Sequence, residues 1–261
     1  MVAASGCRFS GTVIGHSTTH LWLCPLDETL ALSAVQLDHL SSDEFERLGQ
    51  FVFPRDRARY ATTRLLIRDI LSGCLGQRPE DLRFVADMYG RPQLQDEPSH
   101  SQGPITFNIS HAPGLIAVAI RRGARVGVDV ESLHRLVDVA RLGLYLSPTD
   151  LETFAAVSPD RWRMNFLDLW TLKESYIKAR GLGLRIPLQR FGFQFFAGND
   201  IKICFDSDMD DTPSDWHFWQ CHWSADYVLA VCTDLGSGDV PALVVQRIAP
   251  FGERQDTILF H

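Results

Sequence analysis

No two of the six cysteines form a CxxC pair, and no apolar run is long enough to cross a membrane. The longest apolar runs reach about six residues, as at Leu115 to Ile120, where a membrane helix needs about 20. Cys7, Cys24, Cys74, Cys204, Cys221 and Cys232 are scattered through 261 residues. A chain of that length builds a core without a disulfide framework, so reduced thiols in a cytoplasmic protein are expected. No apolar segment precedes Ser5-Gly6-Cys7, which sets aside a lipidation signal there. Positive charge is also short. Lys and Arg number 25 against 32 Asp and Glu, a formal net charge of −7. That balance argues against a large nucleic-acid footprint but leaves room for a local basic pocket that takes an anion. Hydrophobic residues make up 45% and charged residues 22%, the proportions of a globular chain with a real core. The length fits one large domain or two small ones.

What is present falls into a readable order. Residues 1–20 mix small and polar types with His16 and His20, and a loose N-terminal arm is expected. Leu21 to Leu26 reads as a short strand that Pro25 ends. Ser41 followed by Glu44 fits a capping box for a short amphipathic helix with Arg47 in its last turn. Arg55 opens a long helix to about Leu75, with Leu65, Leu66, Ile70 and Leu71 as its apolar stripe. Arg55, Arg57, Arg59, Arg64 and Arg68 put five arginines in fourteen residues. They read either as a solvated face with i,i+4 pairs or as a grip on phosphate, which the guanidinium fork matches.

Strands are expected at Leu82 to Val85, Ile105 to His111, Leu115 to Ile120 and Val126 to Glu131. Tyr89-Gly90-Arg91-Pro92 is a turn, and Gln93 to Gly103 a polar loop. Leu133 to Leu146 reads as helix. Ser147-Pro148 starts another, and Arg161 to Arg180 forms a second long helix closed by Gly181-Leu182-Gly183. From Phe191 to Val231 the alternation is that of an antiparallel sheet, and a strand at Ala242 to Val245 lies in a tail spanning 236–261. Each long helix is followed by a basic or apolar residue plus proline and then a strand, as at Arg78-Pro79 and Ile186-Pro187. That echo predicts two similar α+β halves, 21–123 and 124–235, joined near 121–125.

Two stretches concentrate the chemistry. In Val126 to Glu131 the valines alternate with Gly127, Asp129 and Glu131, so both carboxylates share one face of a strand. Their Cα atoms stand about 6.8 Å apart, close enough for an Asp and a Glu to meet on one ion. Such hard oxygen donors suit Mg²⁺ or Mn²⁺, completed by phosphates and waters. The alternative is an edge strand with a wet acidic face. In the helix, Glu174 and Lys178 share a face four residues apart, with Lys173 one position round; a surface ion pair is the competing reading. In Asn108-Ile109-Ser110-His111, strand neighbours point to opposite faces, so Ser110 does not use His111 as its base. Both remain able to donate to a phosphate.

FNISHA at 107–112, GVDVE at 127–131 and WTLKESYIKARGLGL at 170–184, in that order and spacing, resemble the Sfp-type 4'-phosphopantetheinyl transferases. FPRDRARY at 53–60 and YGRP at 89–92 are similar to the same family, and the likeness covers roughly residues 21–235. The resemblance implies an α+β pseudo-dimer. Each half would be a small antiparallel sheet packed on a long helix, with the active site in the cleft between them. It implies transfer of the phosphopantetheine arm of coenzyme A to a serine of an apo acyl or peptidyl carrier protein, with release of adenosine 3',5'-bisphosphate.

By motif position, Asp129, Glu131 and Glu174 would hold Mg²⁺ on the pyrophosphate, with Mn²⁺ as the alternative ion. Lys178 would meet the pyrophosphate and stabilise the departing bisphosphate, with Lys173 nearby. Ser110 and His111 would bind nucleotide phosphate, and Arg59 and Arg91 fit the basic residues around the nucleotide. Arg47 fits the basic position of the first helix, although Ser42-Asp43-Glu44 beside it is acidic. Arg91 stands where lysine is common. The first half would form the nucleotide side of the coenzyme A site and the second its metal and pyrophosphate side. Glu174, directly or through a metal-bound water, is the candidate base for the serine proton. A monomer is expected, with no membrane or nucleic-acid partner. Competing classes are a non-catalytic binder of coenzyme A or carrier proteins and a metal-dependent nucleotide hydrolase. The three acids argue against the binder.

Overall fold

The computed structural model describes residues 14–27, 33, 37–95, 97, 100–236, 238–249 and 254–260. In chain order the strands are β1 (Thr18–Pro25), β2 (Phe84–Ala86), β3 (Pro92–Leu94), β4 (Ile105–Ala112), β5 (Leu115–Arg122), β6 (Val126–Ser132), β7 (Phe191–Phe195), β8 (Ile201–Phe205), β9 (Trp216–Trp223), β10 (Tyr227–Asp234), β11 (Ala242–Ile248) and β12 (Arg254–Phe260). The α-helices are α1 (Ser42–Gly49), α2 (Pro54–Leu75), α3 (Pro148–Ala155) and α4 (Trp162–Arg180). The fold is mixed α+β. A five-stranded sheet runs β12-β11-β1-β5-β4, and a three-stranded sheet runs β6-β10-β9. Two hairpins, β2-β3 and β7-β8, stand apart from both.

Strand alternation sorts the core into layers. Trp22, Cys24, Ile116, Val118 and Ile120 face α2 and pack with Leu66, Ile67, Ile70 and Leu71. Leu21, Leu23, Ala117 and Ala119 face the other way, against Val126, Val128, Val130, Leu229 and Val231 of the smaller sheet. The far face of that sheet, through Phe218, Val228, Ala230 and Cys232, packs on Phe166, Leu169, Leu172, Tyr176 and Ile177 of α4. The order of layers is therefore α2, larger sheet, smaller sheet, α4. The valines of β6 sit between the sheets, and Asp129 and Glu131 point toward α4.

Local signals set the helix ends. Ser41 and Glu44 form the expected capping box on α1, and Ser147 and Asp150 form one on α3. The last helix ends at Gly181 with φ 68°, a left-handed conformation that glycine adopts without steric penalty.

Four expectations change. The expected tail contributes to the larger sheet: its strand, expected at Ala242 to Val245, is β11, which pairs in parallel with β1 from Thr18↔Ala242 to Leu23↔Arg247, and β12 extends that sheet. The larger sheet is thus mixed rather than small and antiparallel. Of the expected loose arm, residues 1–13 lie outside the described residues, as does Cys7, whereas Thr18 to His20 belong to β1. Leu133 to Leu146 is not an α-helix but a turn followed by a 3-10 segment at Val139–Leu144. There Leu142 and Leu146 are buried while Leu136 is 92% exposed, so the leucines do not make one stripe.

Among the described residues no helix is long and apolar enough to span a membrane. Cys204, Cys221 and Cys232 are free thiols.

Candidate active site

Among the described residues no strand pairs with the outer edge of β6, and side chains take a strand's place. Asn108 Oδ1 accepts the Val128 amide at 2.9 Å, and Ser110 Oγ accepts the Val130 amide at 3.3 Å. Arg91 donates to the Val126 carbonyl at 3.0 Å and Lys178 to the Val128 carbonyl at 3.2 Å. Buried backbone polar groups require partners, so Asn108 and Ser110 join β4 to β6 and fix the height of Asp129 against α4.

Gly127 sets how close α4 comes. A Cβ there would overlap the carbonyl oxygen of Ser175 and the amide of Ala179, both backbone atoms that cannot swing away. The glycine of the GVDVE stretch is therefore a packing requirement. Its consequence is that Glu174 and Lys178 lie over the carboxylates of β6.

Lys178 Nζ contacts Asp129 Oδ1 at 2.6 Å and Ser110 Oγ at 2.9 Å, and Ser110 Oγ donates to the same Asp129 oxygen at 2.8 Å. Asp129 is 5% exposed, and its Oδ2 is buried with no hydrogen-bond partner among the described residues. Glu131 accepts from Trp170 Nε1 at 3.1 Å and pairs with Arg135. Burial, and then the charge of Asp129, raises the affinity of Glu131 for its proton. Glu174 is raised likewise, by burial first and then by Asp129, with Lys178 opposing.

Three carboxylates therefore face two cations, Lys178 and Arg135, in partly buried surroundings. The surplus negative charge and the orphaned Asp129 oxygen are what a divalent cation would satisfy. Among the described residues, no three His, Cys, Asp or Glu side chains are closed into a ready-made ion site. Lys178 and Arg135 hold Asp129 and Glu131 to separate partners. The donor set fits a hard ion that keeps waters and takes phosphate oxygens, rather than an all-protein cage.

Two cavities lie on this side of the molecule, and one of them reaches Glu174 and Lys178. One, of about 320 Å³, is lined by Arg91, Pro92, Phe107, Asn108, Glu174, Ile177 and Lys178 among others. The other, of about 800 Å³, is lined by Arg47, Tyr60, Arg64, Arg83 and Phe84 among others, and shares Gly90 and Pro92 with the first. The Gly90-Pro92 turn thus borders both the cavity beside α1 and α2 and the cavity beside Glu174 and Lys178.

The structure does not bring every expected residue to this place. Lys173 is fully buried, 2.7 Å from Asp150 Oδ2 and 2.8 Å from the Leu188 carbonyl, and also bonded to the Phe191 carbonyl. It belongs to the core beneath α3, because one residue of helix turns it about 100° from Glu174. Asp150 was not anticipated; besides Lys173 it caps α3 and accepts the Phe193 amide at 3.0 Å. Arg59 pairs with Asp56 at 2.7 Å within the first turns of α2 and lines neither cavity. Arg68 is 1% exposed and, with Arg64, is held by the buried Glu44; neither of the two sits on a solvated face. Arg91 lines the smaller cavity, but its guanidinium is engaged by backbone carbonyls. Ser110 and His111 are separated, Ser110 buried beside Asp129 and His111 exposed on the other face of β4. Arg135 was also missed: its i,i+4 spacing from Glu131 signals a pair within a helix, and here Glu131 lies in a strand.

Paired acids and a lysine thus meet where the two sheets adjoin, and comparison supplies the family. Residues 125–232 match the 4'-phosphopantetheinyl transferase superfamily, and residues 25–122 match the N-terminal region of 4'-phosphopantetheinyl transferases. The chain is 32% identical over 166 residues to the 4'-phosphopantetheinyl transferase HetI of Nostoc sp., covering 63% of this chain and 69% of that one. It is 26% identical over 197 residues to the transferase Sfp of Bacillus subtilis, covering 75% and 83%. It is 30% identical over 164 residues to the human L-aminoadipate-semialdehyde dehydrogenase-phosphopantetheinyl transferase, covering 59% and 52%. The chain belongs to the 4'-phosphopantetheinyl transferase superfamily and is an enzyme of that family.

Proposed function

We propose that this enzyme transfers the 4'-phosphopantetheine arm of coenzyme A to a serine hydroxyl of an apo acyl or peptidyl carrier protein and releases adenosine 3',5'-bisphosphate. The observation that carries the site assignment is the Lys178–Asp129–Ser110 contact, with the second Asp129 oxygen buried and unpartnered beside Glu131 and Glu174. Coenzyme A lies with its nucleotide along the basic cavity of Arg47, Arg64 and Arg83 and its pyrophosphate at Lys178, in the cleft between the two halves of a pseudo-dimer. His111 meets the nucleotide phosphate. The enzyme works as a monomer in the cytoplasm.

Asp129, Glu131 and Glu174 are the residues that would hold Mg²⁺, and Mn²⁺ is the alternative. When bound, the ion supplies charge neutralisation on the pyrophosphate oxygens. The reaction forms a bond from the carrier serine oxygen to the phosphorus next to pantetheine and breaks the bond to the bisphosphate oxygen. Lys178 faces the leaving oxygen and offsets its growing charge. Glu174 lines the smaller cavity and is the residue placed to receive the serine proton.

The test is incubation with coenzyme A, Mg²⁺ and a panel of apo carriers, with intact-mass spectrometry of the carriers and product analysis of the nucleotide. A carrier serine gaining one phosphopantetheine, with one bisphosphate released, supports the reading. Hydrolysed coenzyme A with unmodified carriers contradicts it and favours a hydrolase.

A further inference from the structure

We infer that Arg91 is a positioning residue that clamps the last turn of α4 onto β4 and β6, and so sets where Lys178 carries its ammonium. The inference rests on the reading of Lys178 given above, and it departs from the expectation that Arg91 binds nucleotide.

The last carbonyls of a helix have no partner within it. In α4 these include Lys178 and Ala179, and Arg91 Nη1 donates to both, at 2.7 Å and 3.5 Å. Arg91 Nη2 donates to the Phe107 carbonyl of β4 at 2.9 Å and to the Val126 carbonyl of β6 at 3.0 Å. Of its five N–H donors, four are thus spent on the backbone of three elements. The acceptors are all neutral carbonyls, and the positive group sits at the negative end of the helix dipole. Burial lowers the Arg91 pKa, with Asp87 opposing, but arginine holds its proton far above neutral pH.

The turn that delivers Arg91 is itself braced. Asp87 Oδ1 accepts the amides of Tyr89 at 2.8 Å and Arg91 at 2.9 Å, and the Asp87 amide donates to the Arg91 carbonyl at 2.9 Å. Gly90, at φ 82°, makes the reversal. The guanidinium therefore arrives from a fixed loop 87 residues away in sequence and holds the backbone of Lys178 itself. On the other side of that backbone, the Lys178 ammonium reaches Asp129 and Ser110. A lysine at position 91 has one nitrogen with which to replace a fork spanning two pairs of carbonyls.

The experiment combines steady-state transfer kinetics on Arg91→Ala, Lys178→Ala and the double variant with amide hydrogen exchange of residues 176–181 in the full chain. Arg91→Ala should lower kcat by about 100-fold, the scale of an ångström-size misplacement, while the coenzyme A KM moves by less than about threefold. Adding millimolar guanidinium should restore part of kcat. In the Lys178→Ala background the Arg91 substitution should cost little, since groups acting through one another are not additive.

A raised KM with kcat intact would overturn the proposal, as would additive losses. Unchanged exchange at 176–181 in Arg91→Ala would overturn the clamp whatever Lys178 does. Normal transfer by Lys178→Ala alone would instead defeat the reading of Lys178, and exchange would still decide on the clamp. If Arg91→Ala does not fold, Arg91→Lys keeps charge and stem and is read in the same way, with a reduced kcat and faster exchange expected.

Discussion

Lys178 Nζ stands 2.6 Å from Asp129 Oδ1, a contact between residues 49 apart that ties the last turn of α4 to the middle of β6. Neither group would be settled without the other. Asp129 is 5% exposed, and a lone buried carboxylate is costly. Lys178 neutralises one oxygen, and the second has no hydrogen-bond partner among the described residues, which is the feature the proposed ion would satisfy. Ser110, bonded to both, prevents the pair from rotating away.

The approach of α4 to β6 depends on Gly127. Gly127→Ala should destabilise the chain by about 1–3 kcal/mol, the range for overpacking a tight contact, and lower transfer by displacing Glu174 and Lys178 together. Urea unfolding checks the first part and carrier modification the second. An unchanged unfolding midpoint would show that α4 has slack which the backbone overlap with Ser175 and Ala179 denies.

Lys173 and Asp150 are 1% and 0% exposed at the side chain and hold each other in the core. Lys173→Met should cost about 3–5 kcal/mol, since it leaves Asp150 buried without its counter-charge. Lys173→Met with Asp150→Asn should recover part of that loss. The folded fraction of Lys173→Met should keep the wild-type KM for coenzyme A. A KM that rises sharply in the folded fraction would return Lys173 to the phosphate site.

His217 gives the fold a pH dependence remote from the carboxylates. Burial, with Lys202 adding to it, lowers its pKa to about 4 from the usual 6.5, and its ring packs edge-on against Trp219. Between those values the unfolded chain binds a proton that the folded chain refuses. Stability contributed by neutral His217 is therefore complete above about pH 6.5 and is lost as pH falls toward 4. Melting temperatures at pH 7.5 and 4.5 should drop less in His217→Gln than in the wild type. Equal drops would remove His217 from the acid response.

What the sequence disclosed was local. The alternation of Val126, Val128 and Val130 with the acids gave the correct faces of β6, because a strand's period is two residues. Ser41 and Ser147 announced their helices through capping chemistry within three residues, and Gly181 marked the end of α4. The long-range pairings were not visible. Nothing within Ala242 to Ile248 shows that it pairs with β1, and β8 went unseen because it is short and partly exposed. Lys173 looked like a neighbour of the site because it adjoins Glu174, yet one helical step turns it about 100° away, into the core beside Asp150. Arg91 reads as a phosphate ligand by its charge, and only the folded chain shows four carbonyls converging on it.

The most direct test of the carboxylate site is calorimetric titration of Mg²⁺ into the enzyme saturated with coenzyme A, compared with Asp129→Asn. The amide keeps the Asp129 oxygen that accepts from Lys178 and Ser110, so the local fold is retained while the charge is lost. One ion should bind the wild type, and the variant should bind it at least about tenfold more weakly, a difference of about 1.4 kcal/mol or more. Equal Mg²⁺ affinity in the two proteins would contradict the assignment of Asp129 to the ion.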